Sequence, residues 1–130
     1  MEFVRSVYAA FCRLAQGDDV ASFVIAYFEP DCEYHPVEEE EAIRGHEAMM
    51  GWIERWFEAW DEFRVDIDEL TEAGDSAIFA AIMVDARGAG SGIQVNQRFF
   101  HLFDLRNGKV SRQLEFLQRG EALEAAGLSK

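Results

Sequence analysis

Hydrophobic positions recur with the 3.6-residue period of a helix in the first half of the chain and with the two-residue period of a strand in most of the second. Val4, Val7, Tyr8, Phe11 and Leu14 form one apolar stripe, which predicts a first helix ending before Gly17. Asp18 or Asp19 can cap a second helix. Its apolar residues, Val20, Phe23, Val24, Tyr27 and Phe28, run almost all round it, so it is expected between two layers and is expected to stop at Pro30. Cys32 to Val37 reads as extended, because Pro36 pushes His35 out of the α region. A third helix is predicted from near Gly45, carrying Met49, Trp52, Ile53 and Trp56, with Trp60 following at the same interval.

From there Phe63, Val65 and Ile67 alternate with Arg64, Asp66 and Asp68. Further strands are predicted over Ile78 to Val84, Ile93 to Leu105 and Lys109 to Gln118. Ala73-Gly74-Asp75, Gly88 to Gly92 and Asn107-Gly108 are the turn signals between them. Glu121 to Ala126 reads as a short last helix ended by Gly127. Helices followed by a run of antiparallel strands is an α+β order: one curved sheet with the helices on its concave face. No linker, repeat or low-complexity segment interrupts it, so residues 1–130 are expected to form a single domain.

Composition narrows the function classes. A net charge of −13 repels phosphate backbones and anionic lipid surfaces, so neither nucleic acid nor membrane is an expected partner. The Glu38–Glu41 run reads as a solvated loop. Seventeen aromatic residues (Phe 11, Trp 3, Tyr 3) in a 130-residue chain suggest a thick core or a ring-lined cavity. Cys12 and Cys32 lack zinc-site spacing and read as buried free thiols. The N-terminal stripe, broken by Glu2, Arg5 and Arg13, lacks the apolar core of a signal peptide. No apolar run approaches the roughly 18 residues a membrane span needs. A cytoplasmic protein is expected.

Several segments taken together resemble a known superfamily. Phe28-Glu29-Pro30-Asp31-Cys32-Glu33-Tyr34-His35-Pro36 is followed by Ile43-Arg44-Gly45-His46-Glu47-Ala48, which opens a helix ending in Trp56-Phe57-Glu58-Ala59-Trp60. Phe103 to Val110, with Arg106-Asn107-Gly108-Lys109 at its centre, and the closing Glu121 to Leu128 complete the pattern. From about Val4 to Leu128 the chain resembles the NTF2-like superfamily, and SnoaL-like proteins in particular. The resemblance implies an NTF2-like, cystatin-like cone with an apolar pocket, and a homodimer formed through the outer face of the sheet, where Phe100 and Leu102 would be exposed in a monomer. The superfamily includes ketosteroid isomerases, polyketide cyclases, epoxide hydrolases, dehydratases and non-enzymatic binding proteins, so fold alone does not choose among them.

No phosphate loop, His-Glu-x-x-His pattern or Gly-x-Ser-x-Gly elbow is present, and neither a metal nor an organic cofactor is expected. The candidates are polar groups that can face the cavity, and the last hairpin decides which. A two-residue Asn107-Gly108 turn pairs Arg106 with Lys109 and sets Glu115 on the face of Phe100. A three-residue turn with a bulge pairs Leu105 with Lys109 and sets His101, Phe103, Ser111, Gln113 and Glu115 on one face. Local preference favours the first; superposition on ketosteroid isomerases favours the second, which is followed here. That superposition implies His35 at the proton-shuttling position, His101 at that of a protonated Asp, and Ala10 in place of the oxyanion Tyr. Similarity to limonene epoxide hydrolase implies Glu115 as base and Asp85 as a second carboxylate, with Met83 where that enzyme keeps an Arg.

Glu115, His35, His101 and Asp85 are thus the catalytic candidates. Gln113, Trp52, Trp56, Trp60, Phe103 and Tyr34 are the ligand-binding ones. Each has a plainer reading: Glu115 and Gln113 on a solvated face, structural histidines, core tryptophans, and Asp85 in a surface ion pair with Arg87. A pocket carboxylate is expected to have its pKa raised by desolvation. Two functions stay open: cofactor-independent acid–base catalysis on a small apolar carbonyl or epoxide compound, or a non-catalytic domain that holds a hydrophobic ligand or serves as a dimeric scaffold. The first needs Glu115 and a His within hydrogen-bond reach of one void; the second needs only the void.

Overall fold

The computed structural model describes residues 1–128. Helix α1 (Glu2–Leu14) buries Val4, Val7, Tyr8, Ala10 and Leu14, the stripe read from the sequence. Asp19 caps α2 (Val20–Tyr27), its carboxylate accepting the Ser22 N–H at 2.9 Å. The helix ends before Pro30 is reached. Phe28 is already extended and opens β1 (Phe28–His35), where it pairs with Val110. The ladder to β6 shifts register between Phe28 and Glu33, so Pro30, which has no N–H to give, sits where no regular bond is needed. After β2 (Ile43–Arg44) comes α3 (Gly45–Ala59), which passes directly into β3 (Trp60–Glu72). Trp60 therefore belongs to the sheet, pairing with Gly88, although its spacing from Trp56 continues the helical stripe.

With β4 (Ala77–Gly88), β5 (Gln94–Arg106) and β6 (Lys109–Phe116) the sheet has the order β2-β1-β6-β5-β4-β3, and only the β1–β6 pair is parallel. The fold is α+β: a curved, mainly antiparallel six-stranded sheet with the N-terminal helices on its concave face. Bulges help to curve it. One extra residue in β3, between the Ile67–Ile82 and Glu69–Ala81 pairs, keeps Phe63, Val65, Ile67 and Leu70 all packed against the main core.

The β5–β6 hairpin combines the two alternatives the sequence left. Arg106 pairs with Lys109 across a two-residue turn, with Asn107 at φ 54° and Gly108 at φ 74°, the type I′ geometry. The bulge comes later, at Ser111, between the Leu105–Val110 and Asp104–Arg112 pairs. The Ser111 hydroxyl donates to the Asp104 carbonyl at 3.0 Å. The turn alone would send Glu115 to the outer face. The extra residue reverses the parity and sets Glu115 directly opposite His101. The turn is also tied to β1: buried Glu29 accepts from Arg106 Nε and Asn107 Nδ2, each at 3.0 Å.

Helix α4 (Arg119–Ala126) corrects a second expectation. It lays Ala122 and Leu123 over Phe79, Ala81 and Phe100, making a small second core on the convex face. Phe100 and Leu102 are only 6% and 4% exposed, so they offer no open apolar patch for a second copy. Gly127, at φ 73°, ends the helix in the left-handed conformation. Elsewhere that face carries ion pairs, Arg64 on Asp66 and Asp85 and Arg98 on Asp68, beside Met83. Among the described residues no helix is long and apolar enough to cross a membrane.

Asn107→Ala keeps the β-carbon in the left-handed region but loses the local hydrogen bonding that lets Asn tolerate it, and the bond to Glu29, and should destabilise the protein by about 1 kcal/mol. Asn107→Gly keeps the turn and loses only the bond to Glu29, so its urea midpoint should fall less. Equal losses would mean that the Glu29 clasp, and not the turn conformation, is the constraint.

Candidate active site

The concave face encloses an apolar cavity of about 70 Å³. Aromatic side chains make its walls: Phe11 from α1, Phe23 from α2, Trp52 and Trp56 from α3, Phe63 from β3, Phe99 and Phe103 from β5. The Tyr34 ring meets Trp52 edge-on at 5.0 Å, and Trp52 stacks on Trp56 at 5.5 Å.

A chain of polar side chains runs along one wall. The Tyr8 hydroxyl lies 2.6 Å from His101 Nδ1, and His101 Nε2 lies 2.8 Å from Glu115 Oε2. Tyr34 donates its hydroxyl to the same oxygen at 3.1 Å, while the backbone N–H of Val37 donates to Oε1 at 3.1 Å. The side chains of His101 and Glu115 are 7% and 8% exposed. Helix spacing brings Tyr8 inward with Val4 and Val7, and strand alternation brings Tyr34 inward with Cys32. His101 and Glu115 are cross-strand partners, as are Phe103 and Gln113.

Burial pushes the Glu115 carboxyl upward, as expected from its pocket position, but the hydrogen bonds it accepts from His101, from the Val37 N–H and from Tyr34 outweigh it. Its pKa is lowered, not raised, and the residue is a carboxylate at neutral pH. Burial, and then the charge of Glu115, hold the hydroxyls of Tyr8 and Tyr34 well above the ordinary phenol value, so both stay protonated and donate. An ionised Glu115 takes the Nε2 proton of His101 as its hydrogen bond, leaving Nδ1 to accept from Tyr8. Buried Gln113 also lines the cavity. The buried indole N–H of Trp56 is unpaired.

The structure gathers seven of the ten sequence candidates around this cavity: Glu115, His101, Gln113, Phe103, Tyr34, Trp52 and Trp56. Trp60 lines a neighbouring groove. His35 is not at the site. Alternation along β1 turns it away from the cavity that Tyr34 faces, and its Nε2 lies 3.0 Å from Glu33 Oε2. Asp85 also points away, between inward-facing Val84 and Ala86, and pairs with Arg64 and Asn96 rather than with Arg87. Tyr8 was not among the candidates; a lone hydroxyl on an otherwise apolar helix stripe was its signal. The Val37 N–H had none, being backbone. Glu38 and Glu39, expected in a solvated loop, border the groove. Partial burial and the charge of Glu115 raise the Glu38 pKa. Among the described residues no group of three or more His, Cys, Asp and Glu side chains is placed to hold a metal ion.

A family model described as SnoaL-like domain matches residues 5–113. Phenazine biosynthesis protein PhzA2 of Pseudomonas aeruginosa is 27% identical over 97 residues, 67% of this chain and 56% of that protein. The chain thus spans about half the length of the curated relatives it matches. An NTF2-like protein of unknown function from Burkholderia pseudomallei superposes with a TM-score of 0.76 at 22% identity, covering 95% of this chain and 94% of that one. The epoxide hydrolase/cyclase-like enzyme SalBIII, of pyran ring formation in the polyether salinomycin, gives 0.70 at 17% identity, covering 89% and 91%. At these identities the two structural likenesses speak for the fold.

Because folding lowers the Glu115 pKa, its ionised form adds stability that is complete above the ordinary carboxylate value of 4.5 and is lost as pH falls through the lowered value. The stability gap between wild type and Glu115→Gln, from urea denaturation at pH 3 to 8, should be level near neutrality and close below about pH 4.5. A gap that widens toward acid would mean a raised pKa and a protonated resting state.

Proposed function

The chain belongs to the SnoaL-like family, and from that premise we propose that it is a cofactor-independent acid–base enzyme acting on a small, largely apolar carbonyl or epoxide compound, as an isomerase, cyclase or hydrolase. The observation that carries this reading is the Tyr8–His101–Glu115–Tyr34 hydrogen-bond chain along the wall of an aromatic cavity. A purely apolar ligand has no use for a buried charge, whereas a reaction that moves protons does.

Glu115 is the general base. It takes a proton from carbon next to a carbonyl, or from the hydroxyl or water that opens an epoxide, and becomes a neutral acid. Next to a carbonyl the released electron pair passes to the carbonyl oxygen; in epoxide opening the attacking oxygen bonds to carbon as the epoxide C–O pair stays on its oxygen, and in either case the Tyr34 hydroxyl or the Gln113 amide meets the developing charge. His101 is a positioning residue: it holds Glu115 ionised beforehand, and Tyr8 fixes its ring and tautomer from the far side. The proton on Glu115 then returns to the product, so the enzyme is regenerated and only hydrolysis consumes anything, one water. Such transfers need neither metal nor redox cofactor, and they agree with the cytoplasmic setting read from the sequence. The homodimer expected there has no exposed Phe100–Leu102 patch to build on, so a pair of copies would have to meet across the charged part of the outer face.

A second reading, a non-catalytic binder of hydrophobic ligands, is favoured by the aromatic walls, which can hold an apolar molecule without any proton transfer. A thermal-shift screen of hydrophobic ketones, polycyclic aromatics and terpene epoxides separates the two. One class should stabilise both wild type and Glu115→Gln, and only wild type should turn it over, the variant losing roughly 10²–10⁴ in kcat. Binding without turnover by wild type would instead establish the binder.

A further inference from the structure

Beside the inner cavity lies an open groove of about 410 Å³, and the two share the side chains of Trp52, Trp56, Val84 and Phe99. The inner space alone is small for a substrate, and the groove brings the combined volume into the usual range for ligand sites. Trp52, Arg55 and Trp56 stand on one face of α3, and Arg55 lines the groove. Every other arginine lies within 4.0 Å of a carboxylate oxygen. In a chain with 25 acidic residues, Arg55 alone among the arginines has no such partner among the described residues. Gly51 is a poor helix former placed inside α3. The Arg55 guanidinium lies back along the helix over Gly51, where a β-carbon would stand 3.4 Å from Nη1, an ordinary contact.

We propose that the groove is the outer half of the substrate site, and that Arg55 there binds the carboxylate of a flat aromatic acid whose uncharged end enters the inner cavity. The proposal rests on the catalytic reading only in taking the inner cavity as the place of reaction. Charge sets the orientation. Ionised Glu115 repels an anion from the inner end, Glu38 and Glu39 repel it from their part of the groove, and Arg55 attracts it with a planar fork that fits a carboxylate. Aromatic surface favours a ring: Trp52 and Trp56, stacked on one another, both line the passage between the two spaces.

Biphenyl-4-carboxylic acid and its uncharged amide test this with the intact protein. All three tryptophans line the two spaces, so quenching of their fluorescence reports binding, and titration calorimetry checks it. Wild type should bind the acid at least roughly fivefold tighter than the amide, the least expected of a charge-assisted contact at an open rim. The ratio should fall to about one in Arg55→Gln, return in part in Arg55→Lys, and shrink with added salt. An amide bound as well as the acid, or a preference that survives Arg55→Gln, overturns the inference and leaves the cavity reading standing. Binding of neither compound overturns the inference and counts against the cavity as a ligand site.

Discussion

A carboxylate withdrawn from water stays ionised only if donors surround it, and Glu115 is the place where this chain meets that requirement. The donors come from separate parts of the fold: the imidazole of His101 on β5, the hydroxyl of Tyr34 on β1, and the backbone N–H of Val37 just beyond that strand. Tyr8, on α1, completes the set by holding the imidazole. The parallel pairing of β1 with β6 sets Tyr34 next to Gln113 and one inward position from Glu115, and the Ser111 bulge turns the carboxylate inward. Shift any one of these elements and a buried charge loses a partner, so the geometry of the site and the packing of the fold are one constraint.

Most of the fold was legible because most of it is periodic. The α1 stripe, the β3 alternation and the glycine that ends α4 all match the structure, as does the α+β order. What escaped was local to single residues. Asn107-Gly108 formed the tight turn that its chemistry favours, not the three-residue turn that comparison with isomerases required, yet Glu115 lies on the face of His101 as that comparison implied. The two were compatible only through a bulge at Ser111, for which an unremarkable serine gives no warning. The same one-residue parity removed His35: with Cys32 and Tyr34 buried, their neighbours Glu33 and His35 must face the other way. Asp85 failed for the same reason on β4. Side-chain type nominates a residue, but the pleat decides whether it arrives.

The electrostatic expectation failed in an instructive way. Desolvation does raise the Glu115 pKa, and taken alone it gives a protonated acid. Hydrogen bonds to the charged form win, because the donors are fixed by packing and need no reorganisation to reach it. The same burial keeps Tyr8 and Tyr34 from ionising, so one apolar environment holds an acid charged and two phenols neutral.

The partners in this network lie far apart along the chain. Tyr8 and His101 are 93 residues apart, and Tyr34 and Glu115 are 81. Contacts of such separation form only after a large loss of loop freedom. During synthesis the helices that supply Tyr8 and the aromatic wall emerge with nothing to close upon. The strand bearing Glu115 arrives almost last, and the hairpin it shares with β5 brings both remaining partners together. The site is therefore completed last: until β6 pairs with both β5 and β1, His101 and Tyr34 belong to strands that do not touch, with no carboxylate between them.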